Sequence, residues 1–195
     1  MKDICECSLT QQCDVLAIRN SPDVRRSMYT DHEIALDEHL AWLQRLRRPS
    51  DNLVLVVLRD GREAVGVVSF NRIDRINRKA DWAFYLVESQ RGGVGSMLEA
   101  FVLDAAFDQM ALEKLNCEVL ETNPSVVAMH RRFGFVEEGF RRSNILRDGV
   151  RIGVHFLGIT REEWHATRAG RLAAMAQRTR DVVILFAGHP KSVLR

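Results

Sequence analysis

The segment that most restricts what this chain can fold into is Gln90-Arg91-Gly92-Gly93-Val94-Gly95, set between a strand-like run, Trp82-Ala83-Phe84-Tyr85-Leu86-Val87, and an amphipathic helix. Glycines at 92, 93 and 95 permit positive φ and close backbone approach, so consecutive N–H groups can converge on an anion. In the helix that follows, Leu98, Phe101, Val102 and Ala105 recur at i, i+3, i+4 and i+7. That spacing keeps one face on a core and aims the unpaired N-terminal amides, with the helix dipole, at a phosphate. Two other phosphate motifs are excluded by spacing. A P-loop needs Lys-Ser/Thr after its last glycine, where this chain has Ser96-Met97, and Gly93, Gly95 and Leu98 do not supply the dinucleotide register. Glycine-rich turns of this kind also occur without a ligand, so the reading rests equally on what lies downstream.

The 195 residues suit one domain with a sizeable core, and 46% of them are hydrophobic. A net charge of +2 gives no reason to expect nucleic acid or an anionic membrane as partner, and the basic runs Arg45-Leu46-Arg47-Arg48 and Arg141-Arg142 read as solvated faces. Cysteines at 5, 7, 13 and 117 lack metal-ligand spacing and read as reduced thiols. No apolar stretch approaches the roughly 20 residues that span a bilayer. The expectation is a metal-free, cytoplasmic protein.

Along the chain, the pattern predicts a short helix over 14–20 and a longer one over 33–47, stopped by Pro49. Strands follow over 53–58 and 64–70 around an Asp60-Gly61 hairpin, then the strand at 80–87, the helix to about Met110, and a parallel strand over 115–120 reached by a right-handed crossover. A second Asp-Gly turn, Asp148-Gly149, joins the last two strands, and Thr160-x-x-Glu163 has capping-box spacing for a terminal helix. Residues 1–165 read as one domain. Residues 166–195, with an apolar run over 182–186, read as a helical extension that packs on the domain or mediates a homodimer.

The motif Gln-x-x-Gly-x-Gly opening a helix, followed by a strand over 115–120, Asn123, and Phe133-Gly134-Phe135 closing a short helix, resembles the GCN5-related N-acetyltransferase superfamily. The resemblance implies an α/β fold with a mixed, twisted and splayed sheet flanked by helices, and acetyl-coenzyme A as cosubstrate. It implies that Gln90, Arg91, Gly92, Gly93, Val94, Gly95 and Ser96 hold the pyrophosphate, that Asn123 contacts the pantetheine arm, and that backbone groups among Phe84, Tyr85 and Leu86 hold that arm and polarise the thioester. A narrower resemblance lies in Cys117-Glu118-Val119-Leu120-Glu121-Thr122-Asn123, His130-Arg131-Arg132-Phe133-Gly134-Phe135 and Val154-His155-Phe156-Leu157-Gly158-Ile159, with Arg19-Asn20-Ser21-Pro22-Asp23-Val24 and Glu38-His39-Leu40 upstream. These are similar to pseudaminic-acid-pathway N-acetyltransferases, which acetylate the 4-amino group of a UDP-linked amino-dideoxy sugar. Ribosomal-protein N-acetyltransferases share part of the pattern, and a non-catalytic acyl-coenzyme-A-binding domain is the reading of another class.

Acetyl transfer needs a neutral amine, stabilisation of the oxyanion and a proton for the departing thiolate. By resemblance the base is Glu118, five residues before Asn123, with Glu121 its competitor on the other face of the strand. A carboxylate of reference pKa about 4.3 would act through water or after burial. The family's usual acid is a Tyr seven residues after the Asn, where this chain has His130. An imidazolium, reference pKa about 6.5, can donate the same proton with stronger pH dependence. The alternative for His130 is a helix-surface histidine, with water or another side chain supplying the proton. For a nucleotide-sugar acceptor the candidates are Arg19, against an anchoring salt bridge, His39, on an amphipathic helix between Glu38 and Leu40, and Trp82, against a core tryptophan.

Overall fold

The β2 strand, Leu53–Arg59, shows why this sequence makes a sheet covered on both faces. Its residues are apolar almost throughout, and they alternate in destination. Leu53 and Val57 pack with one core while Val54 and Val56 pack with another. In the computed structural model, which describes residues 1–48, 50–90 and 94–176, those two cores lie on opposite sides of one mixed sheet.

The remaining strands are β1 (Lys2–Asp3), β3 (Glu63–Asp74), β4 (Lys79–Leu86), β5 (Lys114–Leu120), β6 (Val136–Arg147) and β7 (Val150–Thr160). Their spatial order is β1-β2-β3-β4-β5-β7-β6. All neighbours are antiparallel except β4 and β5, which are parallel, the mixed sheet that the resemblance implies. Helices α1 (Leu9–Asn20), α2 (Pro22–Arg25) and α3 (Leu36–Leu46) bring Val15, Ile18, Val24 and Leu43 to one face. On the other face, α4 (Val94–Asp104), α5 (Pro124–Phe133) and α6 (Arg161–Ala176) bring Leu98, Val102, Val127, Phe133 and Trp164.

Local chemistry explains the boundaries. The α1 helix starts five residues before the expected position because Ser8 and Gln11 form a reciprocal capping box, the Gln11 N–H donating to Ser8 Oγ (3.2 Å) and the Ser8 N–H to Gln11 Oε1 (3.1 Å). The α3 helix starts late, at Leu36 rather than 33. The Asn20 carboxamide binds both backbone groups of Ile34 at 2.9 Å, ahead of the extended N-cap residue Ala35. After α4 the chain widens into a π-helical turn, Ala105–Gln109. The α5 helix ends on Gly134, whose φ of 99° only glycine adopts freely, with the Phe135 N–H returning to the His130 carbonyl (3.1 Å). Thr160 and Glu163 form the expected capping box for α6. That helix runs unbroken across residue 165 and is docked by Trp164, whose indole N–H donates to Asp104 (2.9 Å), and by Arg168 on the same carboxylate (2.6 Å). The apolar run at 182–186 lies outside the described residues.

The parallel seam is short. β4 and β5 pair only at Lys79/Lys114, Ala80/Leu115 and Asp81/Asn116, and then diverge while both strands continue. Beyond Asp81, β4 remains paired to β3, and β5 to β7. The sheet therefore opens as a wedge between residues 82–86 and 117–120.

Candidate active site

The Val87 N–H donates to the Val65 carbonyl (2.9 Å), which fixes the parity of the β3–β4 ladder. Ala83 and Tyr85 exchange backbone bonds with β3, whereas Trp82, Phe84 and Leu86 turn their N–H and C=O groups towards the wedge. Of the three residues expected to hold the pantetheine arm, Phe84 and Leu86 thus offer backbone groups. Tyr85 is corrected, because its own are spent on Val67. Opposite Leu86, Gly66 of β3 lets the two strands approach closely, since a Cβ there would collide with the Tyr85 carbonyl.

At the open end of the wedge, Asn123 follows β5 and caps α5. Its Oδ1 accepts from the Ser125 hydroxyl (3.1 Å), while its Nδ2 makes no hydrogen bond among the described residues. Gln90 closes a 3₁₀ turn over Glu88–Gln90, and Val94, Gly95 and Ser96 open α4. Arg91, Gly92 and Gly93 lie outside the described residues. A Cβ added at Gly95 would stand 3.8 Å from both the Phe84 ring and the Met129 sulfur, so the start of α4 lies beside the wedge.

Glu118 occupies the opposite face of β5 from the core residues Cys117 and Val119. It accepts a hydrogen bond from the Tyr29 hydroxyl and another from Arg72 Nη2 (3.2 Å). Arg72 also donates to Asp81, whose other oxygen accepts from Asn116 Nδ2 (3.2 Å). Burial, and then the bond to Glu118, push the Tyr29 phenol up, so it stays a donor throughout the neutral range. Directly across the β5–β7 ladder from Glu118 is Phe156, whose ring lies 4.4 Å from the Arg141 guanidinium carbon. Glu121 is committed elsewhere. Its carboxylate accepts from the Gly153 N–H while its own N–H donates to the Gly153 carbonyl (3.0 Å), so of the two glutamates it is Glu118 that meets Tyr29 and Arg72.

Tyr29 was not legible as a site residue. It stands in the connection between α2 and α3, and arginines from three elements fasten that connection by donating to its carbonyls. Arg19 of α1 reaches Thr30 (2.9 Å), Arg25 of α2 reaches Asp31 (2.5 Å), and Arg147 of β6 reaches Arg26 (2.6 Å) and Met28. Arg19 therefore anchors the segment that delivers Tyr29, the structural role weighed against ligand contact.

Two acceptor candidates are corrected. Trp82 is 2% exposed and stacks on Phe84 (5.4 Å between centroids) and Phe135 (6.1 Å), so its ring belongs to the core. Trp82→Ala is expected to cost about 3–5 kcal/mol of folding stability, read as a lowered urea midpoint. His39 is 4% exposed and donates Nε2–H to the Gln12 carbonyl (2.9 Å). Burial pushes its pKa down, so it packs as a neutral ring against Trp42 and offers no charge to a diphosphate.

His130, on α5, is 3% exposed and comes to the wedge from the other face of the sheet. Its ring touches Trp82 (5.5 Å), Phe84 (6.5 Å) and Phe135 (5.1 Å), and its Nδ1 lies 2.7 Å from Oε1 of Glu99 on α4. Among the described residues no group of three or more His, Cys, Asp or Glu is placed to hold a metal, and no helix is long and apolar enough to cross a membrane.

Comparison with known proteins fits this geometry. The chain is 24% identical over 104 residues to YdaF of Bacillus subtilis, a proposed ribosomal N-acetyltransferase, covering 53% of this chain and 57% of that protein. It is 27% identical over 115 residues to the prophage-derived N-acetyltransferase YokL of the same organism, covering 58% and 65%. The matches thus span under two thirds of the length of these curated relatives. The solved structure of spermidine N-acetyltransferase from Vibrio cholerae, in complex with CoA and spermine, superposes with a TM-score of 0.75 at 20% identity, over 82% of this chain and 95% of that one. The model of the acetyltransferase (GNAT) domain family matches residues 10–136, and the chain belongs to that family.

Proposed function

We propose that this protein transfers the acetyl group of acetyl-coenzyme A to the amine of a small acceptor. The observation that carries this reading is the wedge in the sheet, with the N–H groups of Phe84 and Leu86 turned into it and the start of α4 at its side. Phe84 and Leu86 would hold the pantetheine arm by their backbone, with Asn123 on the far side. The segment Gln90 to Ser96 would take the pyrophosphate, because its amides and the α4 dipole present positive potential there. Bound acetyl-coenzyme A supplies the activated acyl group; the chain supplies position and proton management. Glu118 takes the proton of the amine through water, with Tyr29 and Arg72 fixing the carboxylate. His130, from the opposite face, gives a proton to the departing thiolate. Base and acid reach the wedge from two sides of one sheet, as a displacement needs when proton uptake and delivery occur at different atoms.

The acceptor we favour is an amine on a UDP-linked amino-dideoxy sugar. Beyond the sequence stretches noted above, the support is the Arg141–Phe156 pair, a cation over a planar ring on the Glu118 face, with Arg72 close by. Arginine and an aromatic face suit a diphosphate and a base. A second reading, a polyamine or protein amine, draws on the spermidine enzyme and YdaF comparisons. A thermal-shift series separates them. UDP at 100 times its Kd is expected to stabilise the protein by about 2.7 kcal/mol, with spermidine giving no shift. Stabilisation by spermidine and none by UDP, joined to acetylation of spermidine, would reverse the choice.

A further inference from the structure

The α4 helix carries a carboxylate where its packing calls for none. Glu99 is 0% exposed and stands one turn before Leu103, which is equally buried. It shares the interior with Leu98 and Val102. A leucine would fill such a place without the cost of taking a carboxylate out of water. Its Oε1 lies 2.7 Å from Nδ1 of His130, and among the described residues its Oε2 has no hydrogen-bond partner. What Glu99 does for the protein is therefore done through His130.

The surroundings isolate the pair. From β4, His130 meets the rings of Trp82 and Phe84, and after α5 the ring of Phe135, none of which titrates near neutrality. On β5, burial and then the Glu99 charge push the Cys117 thiol well up, so it remains neutral. Burial pushes the Glu99 carboxyl up, while His130 and then, from α5, the Arg132 cation favour its charged form. Among the described residues no hydrogen bond reaches Nε2 of His130.

We propose that Glu99 is a positioning residue for the acid of the reaction. It orients the His130 ring through Nδ1, keeps Nε2 free to donate, and stabilises the imidazolium that the departing thiolate must meet. This rests on the reading of the protein as an acetyltransferase with His130 as acid. The proton leaves Nε2 for the thiolate sulfur, giving a thiol and a neutral imidazole whose Nδ1–H still points to the Glu99 carboxylate. The next proton enters from solvent. A carboxylate facing the distal nitrogen of a catalytic imidazole supports its charged form in the same way elsewhere in enzyme chemistry.

Removing the carboxylate takes away the partner 2.7 Å from Nδ1 and the negative charge facing the imidazolium, so the alkaline limb of kcat is expected to move down. Glu99→Gln is expected to lower kcat at about pH 8 by about tenfold or more and at about pH 6 by less, with KM for acetyl-coenzyme A within about threefold of wild type. Glu99→Asp, which keeps the charge on a shorter stem, should fall between, and it serves as the reporter if the Gln variant does not fold. A paired background separates positioning from packing. In a His130→Tyr protein the phenol needs no carboxylate to hold its proton, so adding Glu99→Gln should then leave the pH profile in place. If the wild type acetylates an amine and neither Glu99 variant moves the alkaline limb, the positioning role is wrong and the transferase reading stands. If the Glu99→Gln loss is as large in the Tyr background, Glu99 is structural and the proposal fails. If the wild type acetylates no amine in a panel of UDP-amino sugars, polyamines and peptides, the transferase reading fails, and this inference with it.

Discussion

Gly93→Val is expected to abolish measurable binding of acetyl-coenzyme A in calorimetry while the protein keeps its far-UV spectrum and a cooperative unfolding transition. Three of the four residues at 92–95 are glycine, between a strand and a helix start. Backbone N–H groups can converge on a pyrophosphate only where no Cβ stands between them and the phosphate oxygens. A β-branched residue adds bulk on that approach and restricts φ to negative values. The core lies elsewhere: Leu98, Val102 and Leu103 bury their side chains further along α4. Loss of binding and retention of fold are therefore separable. Unchanged affinity in a folded Gly93→Val protein would remove the phosphate role of this turn.

Glu118→Gln should lower kcat by about 10²- to 10⁴-fold, the range expected when a general base is removed, with affinity for acetyl-coenzyme A unchanged. The amide is nearly isosteric and can still meet Tyr29 and Arg72, so the geometry around Asp81 and Asn116 should persist. What disappears is the capacity to take a proton. The loss should shrink at high pH, where more of the amine is neutral in solution and the base has less to do. A variant with wild-type kcat between about pH 7 and pH 9 would leave Glu118 as an ion-pair partner of Arg72 and nothing more.

Much of the scaffold was readable because its causes are local. The Asp60-Gly61 and Asp148-Gly149 turns have both residues at positive φ, as the residue types announce. The Thr160 capping box is a four-residue signal, and so was the one at Ser8, which the reading of α1 passed over. The splayed seam followed from the family resemblance, whereas the register of β4 sets which of Phe84, Tyr85 and Leu86 turn their backbone groups to the wedge, and no hydrophobic periodicity contains that register. The acceptor side was far less legible. Tyr29 and Glu118 are 89 residues apart in sequence, and Arg72 reaches Glu118 across 46. These meetings depend on how the α2–α3 connection is fastened and on a register shift in β3 between Asn71 and Asp74 that leaves Arg72 at a φ of 52°. His39 and Trp82 mislead for a related reason. A polar or amphipathic side chain in a strand or helix has no mark in sequence that tells a satisfied interior group from an exposed one. Glu99 did leave a trace, an acidic residue four before Leu103 on the apolar stripe of α4.

The three-pair seam between β4 and β5 has a consequence for how the molecule turns over. Below it, the sheet is continuous; above it, two half-sheets of four and three strands face each other with backbone groups on β4 left over. On the proposed reading, a cosubstrate arm lying there would complete the hydrogen-bonding of a strand that the polypeptide itself leaves unfinished. Each catalytic cycle would then add and remove a surrogate neighbour in the middle of the sheet. Product departure would exchange those backbone hydrogen bonds for water, so the step that resets the protein would draw on the same interactions that build its fold.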